Sequence, residues 1–179
     1  MSVIMFSGVH GVGKGYFLEK NKNSLQQYKI YSASKLIEKY QPSTDAGYKK
    51  VSDVNHNQEI LIRAIREEAI LNETNCIIDG HLCIYNAKGE VERVPEYFFV
   101  KAGITGIVLL QDDPQVICNR ISLRDSEQIR VEDIGKMQDE EEKYAHELQE
   151  KFQIVCKVIS HKCTGKQLKS LLLEMGGQT

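Results

Sequence analysis

The run Gly8-Val9-His10-Gly11-Val12-Gly13-Lys14 limits what this chain can fold into more than any other stretch. A short apolar segment precedes it (Val3-Ile4-Met5-Phe6), and a helix-like segment follows (Tyr16-Phe17-Leu18-Glu19-Lys20). Strand, G-x-x-x-x-G-K, helix is the signature of a loop that wraps a polyphosphate. Its glycines let consecutive backbone N–H groups turn inward, because no side chain blocks the approach. Lys14 adds a point charge, and the start of the helix adds a partial positive dipole. A glycine-rich turn with a chance lysine is the plain alternative, and the placement between strand and helix argues against it. The expected ligand is a nucleoside triphosphate, ATP by default with Mg²⁺. The expected binding set is Gly8, Val9, His10, Gly11, Val12, Gly13, Lys14, Gly15 and Tyr16.

One position breaks the pattern. The residue after Lys14 is ordinarily Ser or Thr, whose hydroxyl ligates Mg²⁺, and here it is Gly15. The metal then depends on water or on another side chain, or phosphoryl transfer is slow.

Beyond the loop, strand-like and helix-like runs alternate. That pattern predicts an α/β fold with a largely parallel sheet and helices on both faces. Predicted strands are Val3 to Phe6, Tyr28 to Ser32, Cys76 to Gly80, Ile104 to Gln111 and Ile154 to Ile159, which makes a five-stranded, three-layer sandwich. Helices are expected from Ser34, as N-cap, to Tyr40, and from Asn55 to about Leu71. Others open at Pro95 and after Asp112-Asp113-Pro114, and two more run from Glu132 to Lys151 and from Gly165 to Met175. A turn is expected at Asn86-Ala87-Lys88-Gly89. The Gln138-Asp139-Glu140-Glu141-Glu142 run is expected on a solvated helix face. With 179 residues and no repeat or linker, the chain is expected to form one domain over 1–179.

Composition narrows the partners. Charged residues make up 27 % and the net charge is −2, so no global positive field recruits nucleic acid or an anionic membrane. Small-molecule nucleotides are the expected partners; a nucleic-acid partner is not expected. No apolar stretch approaches the roughly 20 residues that span a bilayer. With a strand expected almost at Met1, and with unpaired spacing of Cys76, Cys83, Cys118, Cys156 and Cys163, a cytoplasmic location with reduced thiols is expected. His161 and Cys163 are two metal-ligand types, too few by themselves for a site.

Candidate chemistry collects at strand ends and in one polar stretch. Asp79 ends a buried strand, where open parallel sheets place their ligand crevices. It is the expected ligand of Mg²⁺ through water, and its alternative role is to cap the turn with Gly80. Arg120, Arg124 and Arg130 fall at a helix end and in the polar stretch after it, with a short lid expected over about 124–131. Arginines closing over phosphates would stabilise the charge of the transferring group; the alternative is surface arginines paired with Glu127, Glu132 or Asp133. Lys49, with Lys50, stands in an irregular stretch within an expected acceptor-binding segment of about 33–72. Ser34, Lys49, Asp79 and His81 form the expected substrate-side set, with Lys14, Arg120, Arg124 and Arg130 as the catalytic set.

These residues carry a resemblance. The chain is similar to the P-loop nucleoside monophosphate kinases, and most closely to the archaeal-type adenylate kinase family, over nearly its whole length. Gly8 to Lys14 resembles that family's G-x-P-G-V-G loop followed by Lys or Ser. Ser43-Thr44-Asp45, leading to Tyr48-Lys49-Lys50-Val51, resembles its acceptor-side loop. Asp79-Gly80-His81 resembles its Asp-Thr-His, Asn86-Ala87-Lys88-Gly89 its Thr-Pro-Lys-Gly turn, and Arg120 with Arg124-Asp125 its arginine-bearing lid. The resemblance implies transfer of the γ-phosphoryl group of ATP to a nucleoside monophosphate, AMP by default, with Lys49 positioning the acceptor. It departs from the pattern at Gly15, at Asp79-Gly80-His81-Leu82 where many bacterial and eukaryotic relatives carry Asp-Gly-x-Pro-Arg, and at Lys35 and Glu38 where an acceptor-binding arginine is usual. A nucleotide-sensing protein with little turnover, a slow ATPase, or a kinase for another small acceptor are the rival readings.

Overall fold

The computed structural model describes residues 1–41, 54–71, 73–86, 89–125 and 129–176. Its centre is a parallel five-stranded sheet ordered β2-β3-β1-β6-β7. These strands are β1 (Val3–Ser7), β2 (Lys29–Ser32), β3 (Cys76–Asp79), β6 (Gly106–Gln111) and β7 (Val155–Ser160). The helices are α1 (Lys14–Lys20), α2 (Ala33–Tyr40), α3 (Val54–Ile65), α4 (Glu96–Lys101), α5 (Pro114–Asp125), α6 (Val131–Phe152) and α7 (Gly165–Gly176). Every residue of β1 is buried, as is all of β3 and β6 except their last residues. Strands buried on consecutive residues are covered on both faces, which requires helices on each side of the sheet. The predicted α/β sandwich is the fold observed.

The central strand β1 lies between β3 and β6, pairing Met5 with Ile78 and with Ile107. Phe6 of β1 stacks on Phe17 of α1 at 5.7 Å between ring centroids. That contact fastens the helix to the strand on the far side of the loop, so the loop between them is held at both ends. Asp113 caps α5 by accepting from the N–H groups of Gln115 (2.7 Å) and Val116 (3.4 Å), with Pro114 in the first helical position.

Several elements differ from expectation. The N-cap of helix α2 is Ser32, two residues before the expected Ser34, so Ser34 lies within the first turn and its hydroxyl is 2.9 Å from that of Ser32. Helix α3 ends at Ile65 and continues as a π-helical turn over Arg66–Ile70. The turn at Asn86 joins an antiparallel hairpin of β4 (Cys83–Tyr85) and β5 (Val91–Arg93), strands too short for a sequence pattern to register. The acidic run of α6 is not a solvated face: Glu141 is 0 % exposed and Gln138 is buried as well. Both fall on the helical stripe Ile134, Met137, Gln138, Glu141, Tyr144, Ala145 and Leu148, so the 3.6-residue period overrides the local charge. Among the described residues no helix is long and apolar enough to cross a membrane.

Two glycines near the loop carry opposite constraints. Gly11 has φ 80, and a Cβ there would stand 2.4 Å from Ile121 Cγ1. Gly15 sits in the first turn of α1, where a Cβ would meet nothing within 4 Å. Gly15→Ala is therefore expected to raise stability by about 0.5–1 kcal/mol, the usual gain for replacing glycine inside a helix. Gly11→Ala is expected to lower it by about 1 kcal/mol or more through backbone strain and overpacking. Urea denaturation of both variants checks this, and equal midpoints would contradict the loop conformation described.

Candidate phosphate-binding site

All five strands of the sheet run the same way, so their C-terminal ends open on one edge. Onto that edge they deliver Gly8 after β1, Ser32 at the end of β2, Asp79 at the end of β3, Asp112 after β6 and His161 after β7. A cavity of about 550 Å³ opens there, lined by the loop from Val9 to Tyr16 except Val12, by the β2–α2 corner at Ser32 to Ser34, by Asp79 to His81, and by Arg120 and Arg124. It lies beside β1, where the order of strands reverses, the position at which open α/β sheets place their ligands.

Lys14 is only 9 % exposed. Its ammonium donates to the Gly8 carbonyl at 2.7 Å and stands 3.4 Å from both ring nitrogens of His81. Burial lowers its pKa, while the negative potential of Asp79 and then Glu141 pulls it back up. Asp79 answers in kind: burial raises its pKa and Lys14 opposes the rise. His81 is pushed down to about 3, first by burial and then by the charge of Lys14, so its ring is neutral at physiological pH. Asp79 is a suitable ligand for a hydrated divalent cation, being the carboxylate on the cavity wall that already faces a positive charge. Among the described residues no group of three or more His, Cys, Asp or Glu side chains could hold a metal alone. A cation here would rest on phosphate oxygens and water as well.

The loop is braced from outside. The Val12 carbonyl accepts from Arg120 Nη1 at 3.0 Å and from His161 Nε2 at 2.6 Å. Arg120 Nη2 pairs with Asp112 at 2.8 Å, and the Asp112 backbone is clasped by the Gln138 side chain, which bonds both its N–H and its C=O. Below the loop, Glu141 Oε1 accepts from the Ser7 hydroxyl at 3.1 Å and from the Leu82 N–H at 3.0 Å. Burial raises the pKa of Glu141; Lys14 and these donors oppose the rise.

The structure thus brings together the loop residues, Lys14, Tyr16, Ser34, Asp79, His81, Arg120 and Arg124. Arg124 Nη2 is 2.5 Å from His10 Nε2, so His10, an otherwise unconstrained loop position, ties the loop to α5. Arg130 stands apart from the cavity and forms a bidentate pair with Asp133 at 2.8 and 2.9 Å. Lys49 and Glu127 lie outside the described residues. Sequence reasoning missed Ser7, Asp112, Gln138, Glu141 and His161 as parts of the site. Asp112 and His161 carried the same signal as Asp79, a polar residue at the end of a predicted parallel strand.

The cavity, the loop and the parallel sheet define a P-loop NTPase-like fold. The profile of an AAA domain family matches residues 7–142, and the chain belongs to that family. No curated protein matches it by sequence. Among solved structures it is similar to the Deinococcus radiodurans tunicamycin resistance protein (TM-score 0.60, 13 % identity, covering 99 % of this chain and 96 % of that one). It is similar too to the Bacillus subtilis YorR protein, solved in complex with phosphorylated GDP (0.57, 18 %, 99 % and 99 %). A Sinorhizobium meliloti gluconokinase shares the fold as well (0.51, 12 %, 97 % and 90 %).

The neutral His81 has a measurable consequence. Its folded pKa lies below the ordinary 6.5, so between pH 6.5 and about 3 the unfolded chain binds a proton that the folded one does not. Its contribution to stability is fully present above pH 6.5 and declines as the pH falls. Between pH 7.5 and pH 5 the wild type is expected to lose about 2 kcal/mol more than His81→Gln. Urea titrations of both proteins at the two pH values check this; parallel losses would mean that His81 is free to ionise in the fold.

Proposed function

We propose that this protein is a phosphotransferase that moves the γ-phosphoryl group of a nucleoside triphosphate, ATP by default, to a small acceptor. The observation that carries the proposal is the convergence of Lys14, Arg120, Arg124 and Asp79 on one cavity at the switch point of the sheet. The nucleotide held by the structurally similar YorR protein supports a nucleotide in this cavity too. A nucleoside monophosphate, with AMP as the first candidate, is the acceptor favoured by the order of motifs along the chain, with Lys49 as its phosphate contact.

Phosphoryl transfer needs positioning and charge stabilisation more than covalent help from the protein. The loop amides and Lys14 hold the β- and γ-phosphates. An incoming phosphate oxygen offers the Lys14 ammonium a stronger partner than the Gly8 carbonyl it now contacts. Arg124 enters from α5 across the loop, where it can meet charge that develops on the transferring group. Arg120 keeps the loop in shape through Val12. Asp79 would hold magnesium through water, and the cation would supply charge neutralisation at the phosphates. The acceptor enters by the β2–α2 corner, past Ser34 and His81.

A second reading, a nucleotide sensor with little turnover, is favoured by Gly15 and by the engagement of Arg120 with Asp112 rather than with the cavity interior. The two part company in a screen of purified protein with ATP and Mg²⁺ against ribo- and deoxynucleoside monophosphates. Transfer to any of them supports the kinase; ATP binding without transfer supports the sensor.

Variants sharpen the test. Lys14→Ala is expected to weaken ATP binding by roughly 10- to 100-fold, the worth of a charge-assisted hydrogen bond. Arg124→Ala is expected to lower kcat by about 10²–10³-fold with a smaller loss of ATP affinity. Arg120→Ala should lower both, because it also loosens the loop, whereas Arg130→Ala should change little. Calorimetry and steady-state kinetics check these values. Unchanged ATP affinity in Lys14→Ala would overturn the site itself.

A further inference from the structure

A second cavity, of about 160 Å³, lies behind the first, between the β4 strand, the end of α5 and the start of α6. Its walls include Cys83, Ile121, Ile134 and Met137, all buried and apolar. Val9, His10 and His81 line both cavities, so the phosphate site and this apolar chamber adjoin. The cavity opens to solvent beside the half-exposed Tyr85, and its buried apolar floor is of a size to accept a ring of benzene dimensions. A molecule that presents an oxygen beside Lys14 and His81 has this chamber within reach.

We propose that the chamber is a subsite for the acceptor, taking a compact, uncharged aromatic or aliphatic ring carried next to the phosphoryl-accepting oxygen. The inference rests on the phosphotransferase reading and narrows its substrate class. Ring-bearing alcohols or phosphates fit better than polyols, because the floor formed by Ile121, Ile134 and Met137 offers hydroxyls no partner. On this view the segment from His81 to Tyr85 does two jobs. Its first residue faces the phosphates, and its strand forms a wall of the ring pocket.

The test uses the full chain with a non-hydrolysable ATP analogue and benzyl alcohol as the probe. Methyl NMR of the isoleucines and methionines should show saturable shifts at Ile121, Ile134 and Met137 on addition of benzyl alcohol. Ile134→Phe fills the chamber and should weaken that binding at least tenfold, with affinity for the ATP analogue unchanged. Cys83→Met fills it from the opposite wall and serves if Ile134→Phe does not fold. Absence of saturable shifts, or unchanged probe affinity in the filled variants, overturns the subsite. So does transfer to an acceptor that both filled variants phosphorylate as well as wild type, while leaving the phosphotransferase reading intact. Probe binding in a protein that does not bind the ATP analogue supports the subsite and overturns the phosphotransferase reading instead.

Discussion

The arrangement of this molecule depends on an ammonium group that is almost entirely out of water. A buried charge without compensation is costly, and a lysine in that position loses its proton unless negative potential surrounds it. Lys14 meets that requirement with the Gly8 carbonyl at contact distance and with two carboxylates, Asp79 at the end of β3 and Glu141 on α6. Glu141 is itself fully buried, so it in turn requires donors, which come from the Ser7 hydroxyl and the backbone of Leu82 and Cys83. One charge therefore organises the end of β1, the turn after β3 and the middle of a long helix.

The loop around that charge keeps its shape through side chains that reach it from other elements. Arg120 and His161 converge on the Val12 carbonyl, and His161 packs edge-on against Phe17 at 5.7 Å. Gln138 fixes Asp112, which fixes Arg120. Elements from the β6–β7 half of the sheet thus share in holding a single peptide carbonyl. The arrangement is preorganised: the cost of ordering these side chains falls on folding and not on each binding event.

Much of this was legible in the sequence. The loop could be read because its chemistry demands glycine at particular positions. Strands β1, β3 and β6 could be read because each is a short apolar run bounded by polar residues. Asp79 and the pair Arg120 and Arg124 were legible from their places at element ends. What escaped was long-range. Nothing adjacent to Glu141 in the chain distinguishes it from Asp139 or Glu140, and only the helical period relative to Ile134 and Tyr144 turns it inward. His161 looked like half of a metal site because its partner, Val12, is 149 residues away. The β4–β5 hairpin has strands of three residues, below the length at which alternation can be told from chance.

That separation bears on how the molecule comes into being. A chain emerging from the ribosome forms β1, the glycine loop and α1 first, but the loop lacks one of its two outer braces until β7 has paired with β6. Parallel pairings between distant segments are slow to form, because the connecting chain must be ordered before any contact is gained. Earlier still, before α6 has packed, Lys14 has no Glu141 beneath it. Full bracing of the loop therefore arrives late, when the edge strand closes the sheet, and a chain interrupted before β7 would carry an intact motif without its His161 brace.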